Sequence, residues 1–149
     1  MQTSATKQSG FSLLELLVVI SILGFILSMA TLALPNNNEK LWKQDVEELI
    51  ATLNQAREEV AMSGAPIRWV SSSQGWSFRQ ISLQGEERPL GDPLKERRWR
   101  LSPTLTSIDQ LVIGQEVFTP PTMIELKHGT LSARIQREKN GRFKLVNPS

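Results

Sequence analysis

The sequence predicts an α+β protein: a long N-terminal helix, apolar in its first half and amphipathic in its second, packed on an antiparallel β-sheet domain. Three observations predict it. Residues 11–34 are a continuous apolar run with Glu15 as the single charge. Apolar residues then recur at helical spacing from Trp42 to Val60, and after Pro66 the pattern changes to short alternating runs separated by turn residues. Runs of helix followed by runs of strand define the α+β class, and 149 residues suffice for one compact domain plus an appendage.

The apolar run holds 24 residues. As a helix it would span about 36 Å at ~1.5 Å per residue, enough to cross a hydrocarbon core of roughly 30 Å. Helix is the conformation in which a single segment satisfies its own backbone in lipid. Pro35 closes the run, because the residue before a proline is pushed away from α geometry. A plain anchor and a secretory signal peptide are the simplest readings, the latter with Lys7 in the basic region and Ser28-Met29-Ala30 at the cleavage site. The apolar core of a signal peptide runs only ~7–15 residues, and an acid at its leading edge works against it. Burying an ionisable group in a bilayer costs on the order of 2.5–3.5 kcal/mol, so Glu15 calls for a partner. Cleavage after Gly10 would supply one: Phe11 would carry a new α-amino group four residues before Glu15, one helical turn away.

The second helical segment is read from Trp42, Val46, Leu49, Ile50, Leu53, Ala56 and Val60, which share one face. Asn38 is the expected N-cap, and Gly64 followed by Pro66 the expected stop. Glu39 and Lys43 form an i,i+4 pair. The acidic pairs Glu47-Glu48 and Glu58-Glu59 read as a solvated face, with basic surface on a neighbouring subunit as the sharper alternative.

Strands are expected in "PIRWVSS" and "WSFRQISL", a hairpin around "SSQG", then in "RRWRLS" and "DQLVIGQEVF". The Pro- and Gly-containing "QGEERPLGDPLKE" reads as a surface loop. "TMIELKH", "LSARIQRE" and "RFKLV" complete the set, with turns at His128-Gly129 and at Asn140-Gly141, a strong hairpin signal.

No catalytic constellation is legible, and the chain reads as a non-enzyme without cofactor or metal. Cysteine is absent, which removes disulfides and thiolate chemistry. His128 is the single histidine and falls in a turn, while Ser71, Ser72 and Ser73 have no neighbouring base. The acids Asp92 and Asp109 are scattered, and no phosphate loop or nucleophile elbow is present. The tryptophans Trp42, Trp69, Trp76 and Trp99 read as packing residues. Charge is uneven: residues 36–65 carry a net −3, and residues 127–149 carry six basic residues against one acidic, a net of +5. Within the latter, Arg134, Arg137, Lys139, Arg142 and Lys144 form a candidate basic contact surface for phosphates. The set lacks the interleaved aromatics of a single-strand binder, so nucleic acid is not the favoured partner.

Gly10-Phe11-Ser12-Leu13-Leu14-Glu15, fused to the apolar run, resembles the processing site of type IV pilins and of the pseudopilins of type II secretion systems. The resemblance implies that a prepilin peptidase removes the leader "MQTSATKQSG" between Gly10 and Phe11, that Phe11 is N-methylated, and that Glu15 serves assembly by pairing with an N-terminal amine. It also implies an organisation: leader 1–10, transmembrane and filament-core helix 11–34, amphipathic helix 35–64, periplasmic β-rich domain 65–149. Many major pilins carry a helix proline at the position of Leu32; here it falls at Pro35, and Gly24 is the expected site of helix loosening. "LIATLNQAREEVAMSGAPIRW" and the closing hairpin 129–145 resemble the minor pseudopilins of the H type, and equally the FimT- and FimU-like minor pilins. The first resemblance implies a single-pass inner-membrane subunit of a periplasmic pseudopilus that helps to export folded proteins. Its partners would be the major pseudopilin, other minor pseudopilins and the inner-membrane assembly platform. The second implies a type IV pilus subunit that binds DNA through its basic C-terminal hairpin.

Overall fold

The computed structural model describes residues 12–32, 37–115 and 121–146, with the side chains of residues 27–32 outside that description. The chain divides into two compact units, residues 1–36 and residues 37–149. In the first, the described element is α1 (Leu13–Leu32), which lies within the apolar run of residues 11–34.

The second unit opens with α2 (Asn37–Ser63), 27 residues or about 40 Å long at ~1.5 Å per residue. Its buried stripe comprises Trp42, Val46, Leu49, Leu53, Ala56 and Val60, as the periodicity requires, together with Asp45 and Thr52, which apolar spacing alone did not reveal. Ile50 is only half-buried and packs at the margin of the core. The expected cap Asn38 lies inside the helix, one residue after its first turn begins. At the other end Gly64 takes φ +76°, and its N–H donates to the Val60 carbonyl at 2.9 Å. Glycine enters that left-handed region without the steric cost of a Cβ.

Among the described residues nine antiparallel strands follow: β1 (Ile67–Ser71), β2 (Gly75–Ile81), β3 (Glu87–Pro89), β4 (Arg97–Arg98), β5 (Leu105–Thr106), β6 (Gln110–Ile113), β7 (Met123–His128), β8 (Leu131–Arg137) and β9 (Phe143–Val146). They form two sheets rather than one. The first runs β3-β2-β1-β6 with β4 also paired to β2; the second runs β5-β7-β8-β9. The β1–β2 hairpin pairs Ile67 with Gln80 through Ser71 with Trp76, and β8–β9 pairs Arg137 with Phe143 around the Asn140-Gly141 turn. Inward positions of both sheets meet α2: Ile67, Trp69, Phe78 and Ile113 from the first, Ile124, Leu126, Ile135 and Phe143 from the second.

Four sequence expectations change. The stretch read as a loop, 84–96, contains β3 and sends Leu94 into the core. Arg68 and Arg79 hold β3 to the sheet through Glu87, at 2.8 and 3.7 Å. "RRWRLS" supplies only the two residues of β4 before Trp99 and Leu101 turn inward, and β5 appears where no strand was expected. Of residues 109–118 only Gln110–Ile113 pairs, and 116–120 lie outside the described residues.

Gly75 sits where β2 and β4 approach most closely: a Cβ there would lie 2.1 Å from the Arg97 carbonyl oxygen. Gly75→Ala is expected to separate the strands and cost about 1–3 kcal/mol, an overpacking penalty read from the midpoint of urea denaturation.

Candidate functional site

The N-terminal motif is described from Ser12 onward; Gly10 and Phe11 lie outside the described residues. Ser12 caps α1. The Glu15 N–H donates to the Ser12 hydroxyl at 3.2 Å and to its carbonyl at 3.0 Å, and the Leu16 N–H reaches the same carbonyl at 3.2 Å. Ser12 is thus the N-cap and Glu15 stands at the third helical position, the arrangement of an S-x-x-E capping box. Glu15 therefore has a local task as well: a carboxylate in the first turn opposes the positive end of the helix dipole. The S-x-x-E spacing that signals this cap is present in the sequence, directly before the apolar run.

Beyond the cap, every α1 side chain described, through Ile26, is exposed: Leu13 is 83%, Ile20 61% and Phe25 66% open. A helix that is apolar all round is stable only when something apolar surrounds it. Among the described residues no helix is long and apolar enough to cross a membrane.

In the second unit the densest polar cluster joins α2 to the segment after β4. Asp45, fully buried, accepts from the Arg100 N–H at 2.8 Å, the Leu101 N–H at 3.3 Å and the Arg100 guanidinium at 2.7 Å. Glu48 accepts from the same guanidinium at 2.6 Å and pairs with Arg97. The hydrogen bond to Asp45, then that to Glu48, raises the Arg100 pKa above its ordinary value, so this cation stays charged. The acidic face read as solvated is therefore divided. Glu48 is half-buried and satisfied within the chain, while Glu47 stays outside in a 3.8 Å pair with Lys43. Further along the same helix, the Asn54 carboxamide accepts from the Phe143 N–H and donates to the Phe143 carbonyl, both at 2.9 Å.

The candidate basic surface is not one surface. Arg137 is only 4% exposed and stacks 5.6 Å over the Phe143 ring, which corrects its assignment to a contact face. Alternation along β8 puts Ala133, Ile135 and Arg137 on the inward side. Arg134 pairs with Glu125 at 3.1 Å and Lys144 with Glu138 at 2.5 Å, leaving Lys139 and Arg142 exposed at the turn. His128 is likewise corrected: it ends β7 half-buried, with Nδ1 2.9 Å from the Pro103 carbonyl and its ring 6.5 Å from that of Trp42. No group of three acidic or histidine side chains able to hold a metal occurs among the described residues.

With this geometry in place, the comparisons are direct. Residues 5–31 match the prokaryotic N-terminal methylation motif family, a span that includes Gly10, Phe11 and Glu15. The chain is 32% identical over 120 residues to type II secretion system protein H of Aeromonas hydrophila. That alignment covers 79% of this chain and 56% of the relative, so the chain spans little more than half of the curated protein it matches. No solved structure matches it. An N-terminal helix bearing this motif, followed by an antiparallel β domain, defines a type IV pilin-like protein. Within that class the chain belongs with the H-type pseudopilins, to which the relative points.

Asp45→Ala would leave the Arg100 and Leu101 N–H groups without their acceptor, while the Arg100 guanidinium keeps Glu48, and is expected to destabilise the folded unit by about 1–3 kcal/mol for each orphaned donor. In a double-mutant cycle, Asp45→Ala with Arg100→Ala should fall short of the sum of the single changes by about 0.5–3 kcal/mol in urea denaturation. Glu138 gives a pH signature. The Lys144 hydrogen bond, foremost, holds its carboxyl below the ordinary 4.5. A group with a depressed folded pKa contributes above its unfolded pKa and loses that contribution as pH falls through the folded one. The Glu138 carboxyl resonance should therefore titrate below 4.5, and Lys144→Met should move the midpoint back up.

Proposed function

We propose that the chain is a minor pseudopilin, a structural subunit of the periplasmic pseudopilus of a type II secretion system. In this reading it assembles through its N-terminal helix and helps to export folded proteins across the outer membrane. The observation that carries the reading is a capped helix, apolar on every described side, that follows directly on Gly10-Phe11 inside a methylation motif. Such a surface needs a bilayer before assembly and the helices of neighbouring subunits afterwards. The match to protein H supports the choice of system.

The prepilin peptidase would cut between Gly10 and Phe11 and methylate Phe11. The new amine would begin one residue before the Ser12 cap, close to the positive end of the helix. Glu15 would offset that charge within the subunit and, during docking, on a neighbour. The helix of residues 11–34 would anchor the protein once in the inner membrane, with the domain of residues 65–149 in the periplasm behind the amphipathic helix 35–64. Its partners would be the major pseudopilin, other minor pseudopilins and the inner-membrane assembly platform.

The test is co-expression with a type II secretion system and its prepilin peptidase. Mass spectrometry should find a mature chain beginning at N-methylated Phe11, and Gly10→Val should retain the leader. Glu15→Leu should still fractionate with the membrane while co-purification with the other pseudopilins falls at least tenfold. An N-terminus at Thr31, or unchanged co-purification of Glu15→Leu, would overturn the reading.

A further inference from the structure

Among the described residues, strand β9 is the outer strand of the second sheet, with β8 as its one strand neighbour. In an antiparallel pair a residue's N–H and C=O point to the same side, and successive residues alternate. The Glu138 N–H donates to the Arg142 carbonyl at 2.8 Å, which turns Arg142, and with it Lys144 and Val146, toward β8. Phe143 and Leu145 therefore present their main-chain groups outward. The structure agrees at Phe143, whose outward N–H and C=O both bond the Asn54 carboxamide. Asn54 thus occupies one rung of the edge as a partner strand would. The next rung, at Leu145, has no hydrogen-bond partner among the described residues.

The side chain of Leu145 lies on the α2 side of the sheet, next to the buried Ile135 with which it pairs. It is nevertheless 46% exposed, because an open groove of about 140 Å³ separates it from α2. Trp42, Val46, Ala133 and Leu145 make the groove apolar, and the Lys43–Glu47 pair stands on its rim. Free main-chain donor and acceptor therefore adjoin a pocket for an apolar side chain, the combination that recognises an extended segment added to a sheet edge. The surrounding charge selects the kind of segment. On this hairpin Lys139 and Arg142 stand exposed and outside any salt bridge among the described residues, while Lys144, paired with Glu138, lies on the opposite face of the edge.

We propose that the free edge of β9 at Leu145 is a docking site for an extended, acidic segment of another protein, which pairs with the Leu145 main chain and seats an apolar side chain between Leu145 and Trp42. The pairing is short by construction, since Asn54 closes the edge at Phe143, so the groove and the charge supply the specificity. The inference does not depend on which system the chain serves.

The test uses the full chain in detergent micelles and a fluorescein-labelled synthetic peptide, acetyl-EVEIEVE-amide. Anisotropy should report saturable binding that weakens as salt is raised, and the Leu145 amide resonance should shift. Leu145→Pro removes the outward N–H while leaving the β8 ladder intact, as edge positions allow, and should weaken binding at least tenfold. Leu145→Lys, which keeps the main chain but places a charge in the groove, should do the same; circular dichroism confirms that both variants fold. Absence of saturable binding, equal binding by both variants, or equal binding of the lysine peptide acetyl-KVKIKVK-amide would overturn the proposal. Co-purification with pseudopilins that depends on Glu15 but persists in Leu145→Pro would separate its failure from failure of the proposed function.

Discussion

The buried carboxylate of Asp45 is the constraint on which the second unit depends. It lies on α2 with no solvent contact, where an unpaired charge would cost several kcal/mol. Its three donors all come from one short stretch of chain, Arg100 and Leu101. The segment between β4 and β5 must therefore pass over α2 at this point, and the passage turns Trp99 and Leu101 inward. Trp99 then lies 4.3 Å from Trp76 and donates from its indole N–H to the Ser72 carbonyl at 2.8 Å. Thr104 carries the strap onward, its hydroxyl on the Leu101 carbonyl and its N–H on that of Ser73. Because this strap links a strand of one sheet to a strand of the other, one carboxylate sets how both meet the helix.

Much of this architecture was legible in the residues, and the illegible part has a physical cause. Regular elements announce themselves through period: the α2 stripe and the inward residues of β1 and β8 follow directly from spacings of 3.6 and 2. The Asn140-Gly141 and Gly64 turns announce themselves through backbone chemistry. What escapes is whatever is stabilised by a distant partner. Asp45 breaks the hydrophobic pattern of α2, and its reason for burial lies some 55 residues away. Glu48 looked solvated for the same reason. The split into two sheets is equally non-local, since β6 returns to pair with β1 after β5 has joined the other sheet. Arg137 is a different kind of miss, since strand alternation already put it on the inward side with Ala133 and Ile135. The cap at Ser12 was also written in the sequence.

The two units solve the problem of apolar surface in opposite ways. The described core of the second is drawn wholly from residues between Trp42 and Phe143, so that unit buries its own side chains. The first has no such closure, and its apolar side chains remain open from Leu13 to Ile26. A pilin-like subunit divided in this manner carries a finished fold beside a surface that becomes stable only in other company.

The lateral attachment of α2 has a mechanical consequence. The helix packs on strands of both sheets, and is fastened by Asp45 to the segment after β4 and by Asn54 to β9. A pull along its axis would load these fastenings together, in shear, whereas a sideways pull would peel them one after another. Shear geometry resists far more force for the same binding energy, because many contacts must yield at once. The stiff direction of this domain is therefore the long axis of α2.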